Sequence, residues 1–593
     1  MPAIDRIIVL CLPWLAIWIL LSGLDDLLLD LVSFASWLRR SAPAIPPPRA
    51  VREKPTAVFV PLWREHGVIG KMIEHNIGAL QYRNYTVFAG AYPNDGPTIA
   101  AVRQVQARFP QVHLALCPHD GPTSKADCLN WIYQRMLAYE RERAVRFEVI
   151  VVHDAEDLIH PEELRRLSHA MDRYEMVQIP VLPLRTPFHR FTHGVYCDEF
   201  AEYQTKDVPA RLVLGGFLPS NGVGTGYARR ALEEAAGGRQ DRIFDAGCLT
   251  EDYEIGLRLH EIGCRQLFIP IEFVAGQPVA TREFFPQRLR QALQQRTRWV
   301  MGNSLQAWER HGWRGGWRQA YWFWRDRKGL AGNFISALAN LIFGYGLGTW
   351  LWSRAAGAAW GIGSLAHPHW GAPLFYATLL LQLNRTAVRC GCVARIYGWK
   401  FATGVPLRMF WGNWINFLAT AAALARYGVA RLLGRPLVWV KTEHDYPSRA
   451  GLIAHKQPLG EVLLRAGYLS EEQLQRALAS KLPQVRLGEH LVALGPLTED
   501  VVYAGLSVQQ SVPFEPLEGS RIRAGVARSL PAPVARRCRV IPFQVRSGKL
   551  YLAGPEFLSD DTLHHLRGFT RLGIEFQYIT PTNFDRLSRE LLG

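Results

Sequence analysis

Two pairs of carboxylates stand in the first half of the sequence, where they could act on a charged leaving group. Asp154 and Glu156 follow an apolar run at 147–152. Carboxylate oxygens suit Mg²⁺ or Mn²⁺, and a bound cation can neutralise a departing diphosphate. Asp157 comes next and could replace Glu156 as a ligand, and a surface acidic turn is the alternative interpretation. The sequence therefore predicts a divalent metal site at Asp154 and Glu156.

The second pair, Glu251 and Asp252, opens a predicted helix. Transfer of a group to a hydroxyl with inversion needs a carboxylate that takes the hydroxyl proton as the oxygen attacks. Asp252 is our candidate for this catalytic base. A capping role competes with it, because Thr250 suits an N-cap and an acidic residue suits the first turn.

A third motif ends the same region of the sequence. Gln295, Arg298 and Trp299 lie at i, i+3 and i+4, and therefore on one helical face. An Arg can grip phosphate with two hydrogen bonds, and a Trp can stack on a sugar ring. Anchoring of an amphipathic helix at a membrane surface is the alternative. The glycines of 221–226 make a weak dinucleotide motif and would better serve close backbone approach to a ligand.

A regular alternation of apolar runs and helical stretches must position these residues. Strands are predicted at 56–61, 85–90, 112–116 and 147–152, separated by helices such as 66–81 and 98–108. Such a pattern indicates an α/β domain with a parallel sheet and helices on both faces. Ligands of these sheets bind at the carboxyl ends of the strands, which is where the acidic residues fall.

Apolar runs flank this domain. Residues 7–22 predict an uncleaved membrane helix rather than a signal peptide, and 24–38 an amphipathic helix. Further runs lie at about 333–352 and 370–383, whereas 405–425 carries Arg408, Asn413 and Asn416 and is expected to be interfacial or buried in protein. Many of the basic residues border these runs, and the net charge of the chain is +16. This placement of the basic residues favours a membrane surface over a nucleic acid polymer as the partner. The nine Cys show no metal-ligand spacing and suit a reducing compartment.

The order of the polar residues resembles that of the processive family-2 glycosyltransferases, over roughly residues 50–445. Asp95, Asp154 with Glu156, Glu251-Asp252 and Gln295-x-x-Arg298-Trp299 match the family pattern D, DxD, ED and QxxRW. The resemblance implies a GT-A fold, a UDP-sugar donor and a growing polysaccharide acceptor. It implies that Asp95 binds the nucleoside, Lys125 lies near the donor phosphates, and Glu251, Gln295, Arg298 and Trp299 bind substrate.

The C-terminal part contains an internal repeat, in which Leu459-Gly460-Glu461 recurs as Leu487-Gly488-Glu489. The repeat resembles the cyclic-di-GMP-binding N-terminal module of type II secretion and pilus ATPases. Pro458 and Lys481 depart from that pattern in the first copy, and a purely structural docking domain is the alternative. The resemblance assigns cyclic-di-GMP to Leu459, Gly460, Leu463, Leu464, Gly467, Leu474, Leu478, Arg486, Leu487, Gly488, Leu491, Val492, Gly495, Leu506 and Gln509.

Transferase and module together resemble the bacterial phage-adsorption protein B family nearly end to end. This implies an exopolysaccharide synthase of the bacterial inner membrane, with both soluble domains cytoplasmic, a UDP-N-acetylhexosamine donor and an outer-membrane partner rich in helical repeats. By a further analogy with cellulose synthases, Lys441, Thr442 and His444 belong to a gating loop. The alternatives are an inactive scaffold of a phage-receptor or secretion complex, and a transferase that adds one sugar to a lipid phosphate.

These interpretations divide the chain into six parts. They are a transmembrane and interfacial helix at 1–40, a proline-rich linker at 41–55, a GT-A domain at 56–310, interfacial and transmembrane helices at 311–437, the gating loop and linker at 438–450, and a cyclic-di-GMP-binding regulatory domain at 451–593.

Overall fold

In a computed structural model the chain forms two compact units. The first comprises residues 1–66, 84–100 and 113–446, and the second comprises 67–83, 101–112 and 447–593. The structure describes residues 3–39, 52–239, 243–274, 276–360, 362–363, 371–435, 437, 458–482, 484–510, 512–546 and 548–592. The predicted gating loop at 438–450, with Lys441, Thr442 and His444, lies outside the described residues, as does most of the predicted linker at 41–55.

A mixed sheet forms the centre of the first unit. The strands up to residue 283 are β1 Thr56–Pro61, β2 Tyr85–Ala91, β3 Val112–Leu116, β4 Val149–Val152, β5 Met176–Gln178, β6 Val181–Pro183, β7 Thr225–Ala228, β8 Gln266–Phe268, β9 Phe273–Val274, β10 Gln277–Pro278 and β11 Thr281–Glu283. Seven of them pair in the order β3-β2-β1-β4-β7-β5-β8, while β6 pairs with β11 and β9 with β10. The four predicted strands are β1 to β4, so the predicted α/β architecture is confirmed.

The prediction of a wholly parallel sheet is wrong at β7. Strand β1 is parallel to both β2 and β4, but β7 runs antiparallel to β4 and β5. The loop before β7 turns back beside β4, where Gly224 N donates to Val152 O at 3.0 Å. A four-residue strand of sequence TGYA carries no directional signal, so the sequence could not reveal this reversal.

Among the described residues, eleven α-helices up to residue 311 precede, separate and follow these strands along the sequence. They are α1 Ala3–Arg39, α2 Ile69–Ala79, α3 Gly96–Arg108, α4 Lys125–Arg143, α5 Glu163–Ala170, α6 Phe191–Glu202, α7 Val208–Val213, α8 Arg229–Ala235, α9 Glu251–Glu261, α10 Leu289–Trp299 and α11 Ala307–His311. Two π-helical segments, Tyr203–Asp207 and Val300–Gln306, follow α6 and α10 directly.

Helix α4 packs against β1 and β2 and carries the start of the site. Its Ile132 and Tyr133 share a buried core with Phe59 and Phe88. Gly90 of β2 allows this close packing, because a Cβ there would lie 2.6 Å from Ile132 Cγ1. Ser124 caps α4 by accepting a hydrogen bond from Asp127 N at 3.2 Å. The cap fixes the first turn, where Lys125 lies.

The remaining helices of the first unit are α12 Trp317–Arg327, α13 Gly329–Ala356, α14 Gly371–Tyr397, α15 Trp399–Ala402 and α16 Val405–Leu432. Among the described residues two helices are long and apolar enough to cross a membrane, Ile4–Arg39 within α1 and Gly329–Ala356. The predicted third span at 370–383 is not one of them, because it forms part of α14, which also carries Arg385, Arg389 and Arg395.

Helix α1 is one continuous helix, although two separate elements were predicted. Its interior carboxylates are paired: Asp25 accepts hydrogen bonds from Tyr321 Oη and Lys328 Nζ, both at 2.7 Å, and Asp26 lies 3.3 Å from Arg325. Partners on α12 and at its C-terminal end therefore replace water around these charges, and the helix continues through them.

Helix α16 covers 405–425, the run predicted to be interfacial or buried in protein. Arg408 is fully buried and donates to both Asp198 carboxylate oxygens, at 2.7 and 2.8 Å. Asn416 lies near Arg296, whose Nη1 donates to its Oδ1 at 2.6 Å. Arg408 and Asn416 thus have partners on α6 and α10, whereas Asn413 Nδ2 donates to Asn340 Oδ1 of α13 at 3.2 Å.

The second unit contains the repeat and a small sheet. Its C-terminal elements are α17 Leu459–Arg465, α18 Glu471–Ser480, α19 Leu487–Ala493, α20 Glu499–Gln510, the 3₁₀ turn Gly519–Arg521, α21 Ala524–Ala527, α22 Ala532–Arg537, β12 Ile541–Arg546, β13 Lys549–Gly554, α23 Asp560–Arg567, β14 Gly573–Tyr578 and α24 Pro581–Leu591. Strand β13 pairs antiparallel with β12 and parallel with β14.

Each copy of the repeat is a pair of helices, α17 with α18 and α19 with α20. A Cβ at Gly460 would meet Leu474 Cδ1 at 2.7 Å, and one at Gly488 would meet Val502 Cγ1 at the same 2.7 Å. The two glycines therefore do the same packing task in the two copies. Gly467 and Gly495 both have a positive φ, +77° and +86°, which ends the first helix of each pair.

Candidate active site

One cavity in the first unit has a volume of about 490 Å³ and collects most of the predicted site residues. Those that line it are Lys125, Asp154, Glu156, Glu251, Asp252, Gln295, Arg298 and Trp299. They come from the start of α4, the end of β4, the start of α9 and the end of α10. Residues far apart in sequence thus meet in a space large enough for a nucleotide-sugar.

Asp95 is the predicted site residue that does not line this cavity. It is 4% exposed, and its Oδ2 accepts a hydrogen bond from Arg64 N at 2.6 Å. Asp95 Oδ1 also faces Thr98 N in the first turn of α3, at 3.4 Å. Its carboxylate therefore holds the loop after β1, and Trp63 and Glu65 of that loop line the cavity.

Lys125 lies among acidic groups on the floor of the cavity. Its Nζ is 2.7 Å from Asp154 Oδ1 and donates to Gly222 O at 3.1 Å. Burial by itself would lower the pKa of Lys125, but Asp154, Glu251 and Asp252 raise it above its ordinary value. The residue therefore stays cationic, as a group that faces donor phosphates must.

Asp154 and Glu156 both line the cavity, whereas Asp157 does not. The Asp157 carboxylate turns away from the cavity, where its Oδ2 is 2.8 Å from His153 Nδ1 and accepts from Asp154 N at 3.0 Å. Glu283 at the end of β11 lines the cavity in its place. Burial, and then Asp157, Glu156 and Asp154, raise the pKa of Glu283 well above its usual range.

This crowding of carboxylates fits a divalent cation, which would relieve their mutual repulsion. Within the described residues no group of three or more His, Cys, Asp and Glu side chains is arranged to hold a metal by itself. Glu283 was not among the predicted site residues. The one feature of the sequence that could have indicated it is its position at the end of a short strand.

Asp252 and Glu251 form a coupled pair at the N-terminus of α9. Burial raises the pKa of Glu251 to about 7, and the neighbouring Asp252 adds to the rise. Burial also raises the pKa of Asp252, although Lys125 and Arg298 partly oppose the shift. Thr250 occupies the N-cap position, but its side chain makes no capping hydrogen bond. A raised pKa and a cavity position suit a proton acceptor better than a mere cap.

The glycine-rich loop at 221–226 lets its backbone approach these groups. Gly222 has φ +78°, and a Cβ there would lie 2.9 Å from Asp252 Oδ2 and 3.4 Å from Lys125 Nζ. Gly224 has φ +59°, and a Cβ there would collide with the Thr281 hydroxyl. The loop backbone therefore lies close to Asp252 and Lys125, and Asn221 and Val223 of the loop line the cavity.

Helix α10 presents Gln295, Arg298 and Trp299 to the cavity, as the spacing predicted. The Trp299 ring packs edge-on to Tyr196, with centroids 6.1 Å apart. Gln295 is 6% exposed.

Two further aromatic rings line the cavity. Trp63 and Tyr92 pack edge-to-face with centroids 5.5 Å apart, and Tyr92 Oη lies 2.6 Å from Thr123 Oγ1. These two rings were not predicted and offer stacking surfaces for a base.

In the second unit, the leucines assigned to cyclic-di-GMP are mostly core residues. Leu463, Leu464, Leu474 and Leu491 are buried in one cluster, with Leu459, Leu487, Val492 and Leu506 packed against it. Leu478 is 46% exposed, and Arg486 is also exposed. Lys481, which stands where the pattern has Gln, donates to the carbonyls of Leu482 and Val485, both at 3.0 Å.

Two family models match the chain. "Glycosyltransferase like family 2" matches residues 54–302, and "MshEN domain" matches residues 510–593. The first match contains every lining residue of the predicted site up to Trp299. The second match begins at 510, so the repeat residues 459–509 precede it.

Several known proteins are similar to the chain. Bacteriophage adsorption protein B of Escherichia coli (strain K12) and bacteriophage N4 adsorption protein B of Escherichia coli O157:H7 are each 34% identical over 590 residues, 95% of this chain and 79% of the relative. A mannosyltransferase from Pyrobaculum calidifontis, solved with GDP-Man and Mn²⁺, is 16% identical and has a TM-score of 0.43, covering 69% of this chain and 98% of its own. A structure of MshE with cdg is 26% identical over 23% of this chain and 99% of its own, with a TM-score of 0.21.

The fold and the site agree with these matches. The mixed sheet, with the acidic residues at its carboxyl edge, is a GT-A-like glycosyltransferase fold followed by a C-terminal MshEN domain. Identity of 34% over 95% of the sequence extends through both parts and the candidate membrane helices. The chain belongs to the bacteriophage adsorption protein B family and carries a family-2 glycosyltransferase domain.

Proposed function

We propose that this protein is an inverting synthase that transfers sugars from a UDP-sugar, such as a UDP-N-acetylhexosamine, to a growing exopolysaccharide. The observation that carries the proposal is the single cavity that unites Lys125, Asp252 and the Gln295–Trp299 motif. A cation, a base and a sugar-stacking ring are the groups that such a transfer requires.

In this mechanism Asp252 takes the proton of the acceptor hydroxyl as its oxygen attacks the anomeric carbon. The new glycosidic bond forms while the bond from that carbon to the diphosphate breaks, so the configuration inverts. Lys125 and Arg298 face the negative charge that builds on the departing UDP. The tight loop at Gly222 keeps the space between Lys125 and Asp252 narrow, which excludes water from the reacting atoms.

Asp154 and Glu156, with Glu283 nearby, would hold Mg²⁺ or Mn²⁺ together with the diphosphate oxygens. When bound, the cation supplies charge neutralisation to the leaving group. We expect Glu283→Gln to weaken metal-dependent donor binding, because it removes one of the crowded carboxylates. Calorimetric titration of UDP in the presence and absence of Mn²⁺ measures this effect.

Cyclic-di-GMP binding by the C-terminal part, with activation of transfer, is the second element of the proposal. It rests on the repeat, the MshEN match and the exposed Arg486 of the second copy. An Arg can stack on guanine or grip phosphate. Placement in a bacterial inner membrane, with both soluble parts in the cytoplasm, rests on the two apolar helices and the basic residues beside them. An outer-membrane partner with helical repeats completes the proposed export system.

The experiment is UDP release by the purified protein in nanodiscs. A panel of UDP-sugars is offered with Mn²⁺ or Mg²⁺, with and without cyclic-di-GMP, to the wild-type protein and to Asp252→Asn. We expect release with one donor, stimulation by cyclic-di-GMP, and a loss of at least about a hundredfold in Asp252→Asn. Equal release from the variant would remove Asp252 as the base.

Two other functions remain as outcomes of this test. A scaffold without activity would release no UDP from any donor and would tolerate Asp252→Asn in its assembly role. A transferase that adds one sugar to a lipid phosphate would give a product of one fixed length, whereas a synthase gives a ladder on a gel.

A further inference from the structure

Two π-helical segments border the catalytic cavity. Tyr203–Asp207 continues α6, and Val300–Gln306 continues α10. Tyr203 and Asp207 of the first segment line the cavity, and so does Asn303 of the second. π-helical turns are rare and concentrate at functional sites. Nothing in the spacing of the sequence marked these three residues.

The second π segment decides where Asn303 points. On an ideal α-helix a residue eight positions after Gln295 would lie roughly 80° around the axis from it. The wider turn of the π segment changes this phase, and Asn303 lines the same cavity as Gln295 and Trp299. Gly302 makes the arrangement fit, because a Cβ there would collide with the side chain of Thr250, directly before the catalytic pair.

Three of the lining side chains hold buried oxygen atoms that accept no hydrogen bond from the described residues. They are Gln295 Oε1, Asn303 Oδ1 and Asp207 Oδ1. The nearest recorded cation to Asp207 Oδ1 is Lys206 Nζ, at 3.7 Å, and that lysine also lies 2.7 Å from Asp30 and 3.0 Å from Glu202. A buried acceptor without a donor is costly, so these oxygens call for a ligand that donates.

Two arginines of this region have acidic partners, although Nε and Nη2 of Arg296 have no hydrogen-bond partner among the described residues. Arg389 Nε donates to Glu202 Oε2 at 2.6 Å, and Arg296 Nη1 lies 2.8 Å from Glu199 Oε2. A phosphate only accepts hydrogen bonds, so it cannot satisfy an acceptor oxygen, whereas a sugar hydroxyl both donates and accepts. The lining therefore favours a saccharide over an anionic group.

We propose that Asn303 and Asp207 are positioning residues that hold hydroxyl groups of the acceptor's terminal sugar, and that this acceptor is a saccharide rather than a lipid phosphate. Together with Gln295 they orient the attacking hydroxyl towards Asp252. The proposal rests on the proposed function, because it assigns the second substrate of the same site.

The test uses the full chain in nanodiscs with the UDP-sugar selected by the donor panel. The saccharide probe is the protein's own product cut to short oligosaccharides by mild acid, and the phosphate probe is farnesyl phosphate. We expect the saccharide alone to accept sugar. Asn303→Leu and Asp207→Leu should each raise the KM for the oligosaccharide about tenfold and leave the KM for the donor unchanged.

Asn303→Asp keeps an oxygen at the position and should stay within about threefold of the wild-type KM. Thr205→Val is the matched control, since Thr205 belongs to the same π segment as Asp207 and is not among the residues that line the cavity. An unchanged donor KM shows that the variants are folded. Wild-type KM values for the oligosaccharide in both Leu variants, or transfer to farnesyl phosphate alone, would overturn the inference. Absence of UDP release from the wild-type protein with every donor would instead reject the proposed function.

Discussion

At the scale of single residues, the coupled carboxyls at the start of α9 govern the pH dependence. Burial raises the pKa of Glu251 to about 7, and the charge of Asp252 contributes. The interaction is mutual, so an ionised Glu251 also holds a proton on Asp252. Burial raises the pKa of Asp252. The base acts only when deprotonated, so we expect the acid limb of transfer to lie at higher pH than an ordinary aspartate would give.

Glu251→Gln removes the like charge beside Asp252 and should move this acid limb to lower pH. The rate of UDP release, measured at pH values from about 5 to 9, checks this shift. Glu261→Gln, at the other end of the same helix, is the control and should leave the limb in place. A limb that stayed at its wild-type pH in Glu251→Gln would contradict the assignment of the pair.

Gly222 offers a second test at this scale. Gly222→Ala places a Cβ 2.9 Å from Asp252 Oδ2 in a backbone with φ +78°. Gly263→Ala is matched, because Gly263 has φ +84° but nothing within 4 Å of its Cβ position. Both should lose about 1 kcal/mol of stability from backbone strain. Only Gly222→Ala should lose most of its UDP release, and equal activity of the two would show that close approach at Gly222 is unimportant.

At the scale of elements, α1 depends on the pairing of its interior charges. The side chains of Asp25 and Arg325 are 8% and 11% exposed. Removal of one partner leaves the other charge buried, so Asp25→Ala should destabilise the protein by about 3 kcal/mol. The melting temperature in detergent measures this loss.

Asp172→Ala is the control for Asp25→Ala, because the Asp172 side chain is 57% exposed in its pair with Lys54. Exposed pairs contribute about 0–1 kcal/mol, so its melting temperature should hardly change. Equal melting temperatures of the two variants would mean that water reaches Asp25, and that α1 does not need the pair.

At the scale of the whole molecule, the chain enters the second unit twice before residue 113. Residues 67–83, which contain α2, belong to the same compact unit as the repeat. Within that unit a Cβ at Gly78 of α2 would collide with Val508 of α20, Arg83 is 2.7 Å from Glu471, and Tyr468 Oη donates to Arg108 O. The proposed activation by cyclic-di-GMP therefore has a packing route to α2 and to residues 101–112 of the same unit.

Gly78→Val should disturb this packing and remove most of the stimulation by cyclic-di-GMP, while basal UDP release persists. Gly70→Ala is the control on the same helix, where the added Cβ would lie 3.7 Å from Val105, an ordinary contact. Stimulation is measured as the ratio of UDP release with and without cyclic-di-GMP. Full stimulation in Gly78→Val would exclude this route.

The sequence by itself determined the elements and the chemical inventory. Strands β1 to β4 were predicted because apolar runs must be buried on both faces of a sheet, and the 3.6-residue period placed Gln295, Arg298 and Trp299 on one face. The repeat was also visible, because two equal helix pairs need the same glycines and leucines at the same positions.

Only the tertiary structure decided which of these residues share a cavity. In the structure Asp157 contacts His153, Asp95 accepts a hydrogen bond from the loop after β1, and Glu283 at the end of a three-residue strand lines the cavity. The tertiary structure also set the phase of Asn303, because a π-helical turn has no sequence period of its own to read. Apart from the Asp157–His153 contact, which joins residues four positions apart, these features depend on contacts between distant parts of the chain, and local patterns carry no record of them.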